Sequence, residues 1–291
     1  MSNIVIENEN LRATINPLGA ELVSLLKLDD STEYMWDADP EFWGKSSPVL
    51  FPIVGGLKND TYFYDGKEYI LPRHGFARTM NFEVESQTQN SVGFLLKNNP
   101  ETEKVYPYEF ELRLIYALID NKLELKYQIT NPDSKALLFS FGGHPAFKCP
   151  IENVLNYEDY FLEFNENEDL ERWPLNSAGL VLNEPLEISK NTNKLMLTKE
   201  LFHQDALVFK HLKSDGVTLK SQKNPKQLKF EFKNFPYLGI WAAKDADFVC
   251  IEPWCGIADS ADTNQNLETK EGIISLESKR VFERGFSIEI S

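Results

Sequence analysis

Apolar residues recur at every second position through much of this chain. Leu11, Ala13 and Ile15 alternate with polar neighbours, the pattern of a strand with one buried face. Tyr62-Phe63-Tyr64 and Glu68-Tyr69-Ile70-Leu71 flank Asp65-Gly66, a pair that tolerates the positive φ angles of a tight turn, so a hairpin is expected there. A second hairpin is expected around Asp120-Asn121. Leu112, Leu114 and Tyr116 lead into it, and Leu123, Leu125, Tyr127 and Ile129 follow at period two. Further strands are expected at 228–232, 238–243, 247–252, 273–276 and 280–290. In the last, Val281 falls out of phase with Phe286, Ile288 and Ile290, which predicts a bulge near Gly285. Helical signals are short. Asp39-Pro40-Glu41-Phe42-Trp43 reads as a capped turn, and Thr198 to Phe202 as one more. Many antiparallel strands and few helices predict an all-β protein, a large sandwich or barrel.

The chain has 291 residues, 42% of them apolar, enough for a large core. No repeat, low-complexity tract or linker interrupts it, which favours one continuous domain over 1–291. With 30 Lys and Arg against 45 Asp and Glu, the formal charge is −15. That excess argues against nucleic acid and anionic membranes as partners. No apolar run reaches the ~18 residues of a membrane span. The opening MSNIVIENENLRATI lacks the basic and apolar regions of a secretory signal. Three cysteines, Cys149, Cys250 and Cys255, are too few and too odd for a disulfide scaffold and fit a reducing cytoplasm. Cys250 and Cys255 have no neighbouring Cys or His pair, so the spacing does not predict zinc.

Candidate chemistry is confined to a few segments. Of the four histidines, His74 lies in Arg73-His74-Gly75-Phe76-Ala77-Arg78 and His144 in Gly142-Gly143-His144-Pro145-Ala146-Phe147. Both follow apolar runs and sit beside glycines that let a backbone or ligand approach closely. The plain alternative for each is a loop or core histidine with its hydrogen bonds satisfied. His203 and His211 read as surface residues. Glu252 ends the apolar run Phe248-Val249-Cys250-Ile251, where burial would raise its pKa and make it a better base near neutrality. Its plain alternative is a strand-end carboxylate turned to solvent. Trp254 suits either a core edge or a platform for a sugar ring. Gly55-Gly56 after Phe51-Pro52-Ile53-Val54 reads as a turn and lacks the spacing of a phosphate-binding P-loop. No Gly-x-Ser-x-Gly, His-x-x-x-His or Gly-x-Gly-x-x-Gly occurs, which sets aside serine-hydrolase, zincin and dinucleotide chemistry.

Taken in order, five segments resemble the aldose 1-epimerase (galactose mutarotase-like) family, nearest to its LacX-type bacterial branch. They are Phe51-Pro52-Ile53-Val54-Gly55 with Leu57-Lys58, Tyr64-Asp65-Gly66-Lys67-Glu68-Tyr69, Arg73 to Arg78, Gly142 to Phe147, and Ile251-Glu252-Pro253-Trp254-Cys255-Gly256. The resemblance implies a β-supersandwich that interconverts the α and β anomers of an aldose without metal, nucleotide or other cofactor. It implies Glu252 as base, His144 as acid and His74 as a second histidine on the sugar, with Asp205 as a substrate-binding carboxylate. It also exposes a departure. Many relatives carry a sugar-binding Arg where this chain has Gly56, and Lys58 and Arg78 are the candidates to take its place. Arg73, Arg78 and Lys58 together would suit a phosphate, so a hexose-6-phosphate mutarotase is an alternative. A non-catalytic carbohydrate-binding or sensing protein of the same fold is another. The expected partner throughout is a small-molecule sugar or sugar phosphate.

Overall fold

The computed structural model describes residues 2–291. Every strand pairing in its sheets is antiparallel. A nine-stranded sheet forms one layer, in the order Leu186–Met196, Tyr160–Arg172, Gly216–Ser221, Gln227–Glu231, Val281–Ile290, Lys122–Thr130, Glu111–Ile119, Ser91–Lys97 and Glu83–Gln87. A six-stranded sheet packs against it. Its order is Leu207–Phe209, Tyr237–Trp241, Phe248–Cys255, Phe141–Gly143 and Val49–Leu50, with Ala146–Lys148 also pairing Phe248–Cys255. A four-stranded sheet from the N-terminal residues, the hairpin Thr61–Tyr64 with Lys67–Ile70, and the long-range pair Leu137–Phe139 with Ile274–Leu276 complete the architecture.

Alternation along the strands builds the core. Leu112, Leu114, Tyr116 and Leu118 lie opposite Ile129, Tyr127, Leu125 and Leu123, and all eight are buried. The hairpin at Asp65-Gly66 forms as its turn chemistry predicts, with φ of 49° and 71° at the two turn residues. Tyr127 packs on Phe141, ring centroids 4.9 Å apart, and its hydroxyl donates to the Gly142 carbonyl at 3.2 Å. These contacts clamp the odd-numbered side chains of Phe141–Gly143 onto the nine-stranded sheet. The even-numbered ones therefore face away from it.

Several sequence expectations need correction. The strand Val281–Ile290 runs in unbroken register against Lys122–Thr130, so no bulge forms at Gly285. Phe282, not Val281, is the inward residue: Val281 is half exposed, while Phe282 packs on the core, and the alternation never changes phase. The strand carrying Glu252 continues to Cys255, which puts Glu252 inside a fully buried strand rather than at its mouth. The α-helix Pro100–Val105 carries a capping box between Asn99 and Thr102 that the apolar pattern did not signal. Among the described residues, no helix is long and apolar enough to cross a membrane.

Gly75 ties the His74 turn to the six-stranded sheet through a parallel bridge to Phe51. Its φ is +71°, and a Cβ there would lie 2.4 Å from the Phe51 carbonyl oxygen. Gly75→Ala should therefore lower the unfolding free energy by about 2 kcal/mol or more, from left-handed strain plus a clash with rigid backbone. Urea denaturation of the variant beside the parent protein measures it.

Candidate active site

Strand register brings the two main candidates face to face. Phe141–Gly143 and Ala146–Lys148 both pair with Phe248–Cys255, Gly142 opposite Trp254 and Ala146 opposite Cys250. Halfway between those pairs the same register sets His144 opposite Glu252. Pro145 has no N–H to give the ladder, and the chain leaves regular pairing there. The Glu252 Oε2 and His144 Nε2 atoms are 3.2 Å apart. Glu252 also lies beside Gly239 on the other neighbouring strand, where the missing side chain leaves room for the Trp254 indole, whose ring would touch a Cβ there at 2.4 Å.

His74 arrives from a different element. It occupies a tight turn with φ of +67°. The Gly55 N–H donates to its Nδ1 at 3.1 Å, and its own N–H donates to the Gly55 carbonyl at 2.9 Å. An Nδ1 that accepts leaves the ring proton on Nε2 in the neutral tautomer. The ring meets His144 edge-on at 5.6 Å between centroids. Gly55 holds this geometry with φ of +72°, its Cα face so close to Ala258 that a Cβ would fall 2.4 Å from that methyl.

Aromatic walls enclose the histidines. Trp43 stacks on His144 at 4.9 Å and Trp241 meets it edge-on at 5.5 Å. Trp43 is delivered by the Asp39 turn, where the Asp39 carbonyl accepts from the Trp43 N–H at 2.8 Å. The resulting cavity, about 490 Å³, is lined by Trp43, Trp241, Trp254, Phe202, His74, His144, Glu252, Arg73, Arg78, Asp205, Ala206, Ala242 and Lys244. That volume falls within the ~300–1,000 Å³ of small-molecule sites. A roomier cavity of about 580 Å³, lined by Trp36, Lys148, Tyr157 and Lys199 among others, contains none of these candidates.

The cavity thus gathers Glu252, His144, His74, Arg73, Arg78, Asp205 and Trp254. Lys58 is the exception. Its backbone N–H donates to Asp259 at 3.0 Å and its ammonium to the Ala261 carbonyl at 3.3 Å, which commits it to the loop behind the Gly55 turn. On the cavity side, Arg73 approaches the Gly56 position by way of Gly179. A Cβ on Gly56 would face the carbonyls of Ala178 and Gly179, and Arg73 Nη1 would lie 3.2 Å from a Cβ on Gly179. Arg73 also pairs with Asp205 at 3.7 Å, while Arg78 donates to the Arg73 carbonyl at 2.7 Å. Trp43, Trp241, Phe202 and Lys244 escaped the sequence reading. No local pattern distinguishes a cavity-wall tryptophan from a core one, though the predicted turn at Asp39 pointed at Trp43.

Burial sets the electrostatics. Glu252 is 1% exposed, and its carboxyl pKa is pushed well above the ordinary range by desolvation, against a smaller opposing pull from Arg73. Desolvation drives His144 the other way, to about 3, with the Arg73 and Arg78 charges adding to the fall. His74 is likewise lowered by burial, then by His144 and the two arginines. His144 Nδ1 and Glu252 Oε2 are buried with no hydrogen-bond partner. Each such orphan costs ~1–3 kcal/mol, and the residues that carry these two both line the cavity.

A sequence model of the aldose 1-epimerase family matches residues 2–273. The plasmid-encoded protein LacX of Lactococcus lactis subsp. lactis is 38% identical over 278 residues, 92% of each chain. A galactose mutarotase related enzyme from Lactobacillus acidophilus superposes with a TM-score of 0.96 at 39% identity, over 100% of this chain and 97% of that one. A galactose mutarotase-like protein from Lactobacillus casei gives 0.94 at 31%, over 100% of both chains. The all-β architecture is therefore the galactose mutarotase-like fold.

The raised Glu252 pKa has a stability consequence. A carboxyl whose folded value exceeds its unfolded one, about 4.3, contributes fully below that unfolded value and loses the contribution as pH rises. Near neutrality Glu252 therefore weakens the fold relative to an uncharged isostere. Glu252→Gln should melt higher than the parent protein at pH 7, with the gap closing towards pH 4, as scanning calorimetry across that range would show.

Proposed function

Because the chain belongs to the aldose 1-epimerase family, we propose that it interconverts the α and β anomers of an aldose by acid–base opening of the sugar ring. The observation that carries this reading is the buried carboxyl–imidazole pair, 3.2 Å apart, on the wall of an aromatic-lined cavity. In a cyclic aldose the C1 hydroxyl oxygen and the ring oxygen are bonded to the same carbon. An acid and a base that serve both together must be close neighbours, as His144 and Glu252 are.

In the forward step Glu252 takes the proton from the C1 hydroxyl while His144 protonates the ring oxygen. The bond between C1 and the ring oxygen breaks and its electron pair stays with that oxygen. The electrons of the former O–H bond become the second bond of the C1 carbonyl. Rotation about C1–C2 presents the other carbonyl face, and the reverse transfers close the ring as the other anomer. The proton count of the pair is unchanged, so no further acid or base is consumed. Burial disfavours the carboxylate–imidazolium pair that starts the step, so the reactive form is the minor one in the empty cavity, and its discharge through the sugar to the uncharged pair runs downhill. His74, fixed as an Nε2–H donor, would hold a sugar oxygen. Arg73 would take the role that many relatives give to an arginine at the Gly56 position. The tryptophans offer flat apolar faces to the sugar's C–H groups.

The same cavity favours a second substrate reading. Arg73, Arg78 and the exposed Lys244 line it in a protein of net charge −15. Cations so placed against the prevailing sign suit a phosphorylated aldose.

Polarimetry of freshly dissolved α-glucose and α-galactose should show mutarotation faster than buffer. Glu252→Gln should slow it by ~10²–10⁴-fold with Tm retained or raised. Parent-protein rates no greater than buffer on every aldose and aldose phosphate tried would overturn the assignment. Lys244→Ala should lower kcat/KM for glucose 6-phosphate and leave glucose unchanged if the phosphorylated sugar is the substrate.

A further inference from the structure

The reacting face of the six-stranded sheet holds one nucleophile that ring opening does not use. Cys250 lies two residues before Glu252 on the same strand, so both side chains project from one face. It is a free thiol, fully buried, and its strand partners are Ala146 and Trp241. The imidazole of His144, the thiol of Cys250 and the carboxylate of Glu252 each present one donor atom within 4.8 Å of the other two.

We propose that His144, Cys250 and Glu252 form a binding site for a thiophilic divalent cation, zinc above all, whose occupation blocks proton transfer at the same pair. The cation would act as an inhibitor, entering from the sugar cavity. Binding stands on the three donors alone; the inhibition rests on the anomer-exchange reading.

Geometry favours it first. Zinc bonds of about 2.0–2.2 Å to nitrogen and oxygen at the tetrahedral angle set those two ligand atoms about 3.4 Å apart. Here His144 Nε2 and Glu252 Oε2 are 3.2 Å apart, and no hydrogen bond holds Oε2. The sulfur must come within about 3.6 Å of both for a Zn–S bond of about 2.3 Å. From separations of up to 4.8 Å that is a side-chain adjustment of about 1 Å.

Donor chemistry points the same way. Nitrogen, sulfur and a single carboxylate suit zinc and its softer neighbours, whereas magnesium and calcium want oxygen alone. A thiolate and a carboxylate balance the double positive charge. As the metal bonds form, the thiol proton and any proton on the Glu252 carboxyl leave to solvent; no electron changes hands. Three protein ligands leave the fourth position for water or a sugar hydroxyl from the cavity. Arg73 and Arg78 oppose a cation electrostatically and Asp205 offsets them in part, so binding weaker than at a closed structural zinc site is expected.

Cobalt(II) chloride tests the site without any assay of sugar. One equivalent added to the full-length protein should produce a thiolate-to-cobalt charge-transfer band in the near ultraviolet, which zinc chloride abolishes by displacement. Cys250→Ala should lose the band while keeping the far-ultraviolet circular dichroism of the parent protein. If that variant misfolds, Cys250→Ser, closer in volume, takes its place. Cys255→Ala should keep the band. In polarimetry, micromolar zinc should slow the parent protein at least tenfold, EDTA should restore the rate, and magnesium should do nothing. For Cys250→Ala the ratio of rates with and without zinc should return to about one. No band in the parent protein, or a band that survives loss of Cys250, overturns the site. A Cys250-dependent band with undiminished mutarotation leaves the site standing and overturns the inhibition. A band in a protein that never catalyses mutarotation counts against the anomerase reading and not against the cation.

Discussion

The meeting of His144 with Glu252 depends on one piece of strand register. The strand Phe248–Cys255 is buried along its whole length and pairs with an interrupted strand that breaks at His144-Pro145. Alternation assigns one set of its side chains to the core shared with the nine-stranded sheet and the other to the cavity. Slide that pairing by one residue and Glu252 would point into the packing around Tyr127 and Phe141, while His144 would lose its partner. The clamp against such a slip is chemical as well as steric: Gly142 and Gly143 lie so close to Trp254, Phe286 and the Pro253 carbonyl that no side chain fits at either position.

The fold tolerates at this place what it avoids elsewhere. Buried carboxyls in the same protein are well partnered. Glu21 accepts from the backbone N–H groups of Ser46 and Ser47, Glu168 from those of Lys213 and Ser214, and Asp259 from Lys270 in a buried ion pair. Glu252 makes no such bonds from Oε2. The Lys270–Asp259 pair supports the site indirectly: Asp259 holds the Lys58 N–H and the Gly56 carbonyl, and so fixes the loop whose Gly55 N–H sets the His74 tautomer. Partnered carboxyls brace the frame, and the carboxyl with a free oxygen, Glu252, lies on the cavity wall.

How much of this was legible beforehand divides by the range of the interaction. Local chemistry was readable: Asp65-Gly66 turned the hairpin, and the alternation through 111–130 set the central strands. Glu252 was recognisable as a carboxylate in an apolar run because its neighbours within four residues gave its environment away. The stacking of Trp43 on His144 was not, since it joins residues about a hundred positions apart through a turn whose direction no pattern encodes. The proximity of Cys250 to His144 was hidden in the same way, since a search for closely spaced side chains cannot see a set brought together by strand pairing. The error at Val281 has a different origin. Two hydrophobic neighbours, Val281 and Phe282, compete for the inward position, and the larger ring takes the buried side.

The His144 imidazole and the Glu252 carboxyl are held by adjoining strands of a single sheet. The separation between them is set by the strand pairing at Gly142–Trp254 and Ala146–Cys250. Altering it would mean unzipping both ladders, so no hinge lies between the two groups. A pair assembled this way is preorganised: any ligand that bridges it must fit a gap fixed by the main chain.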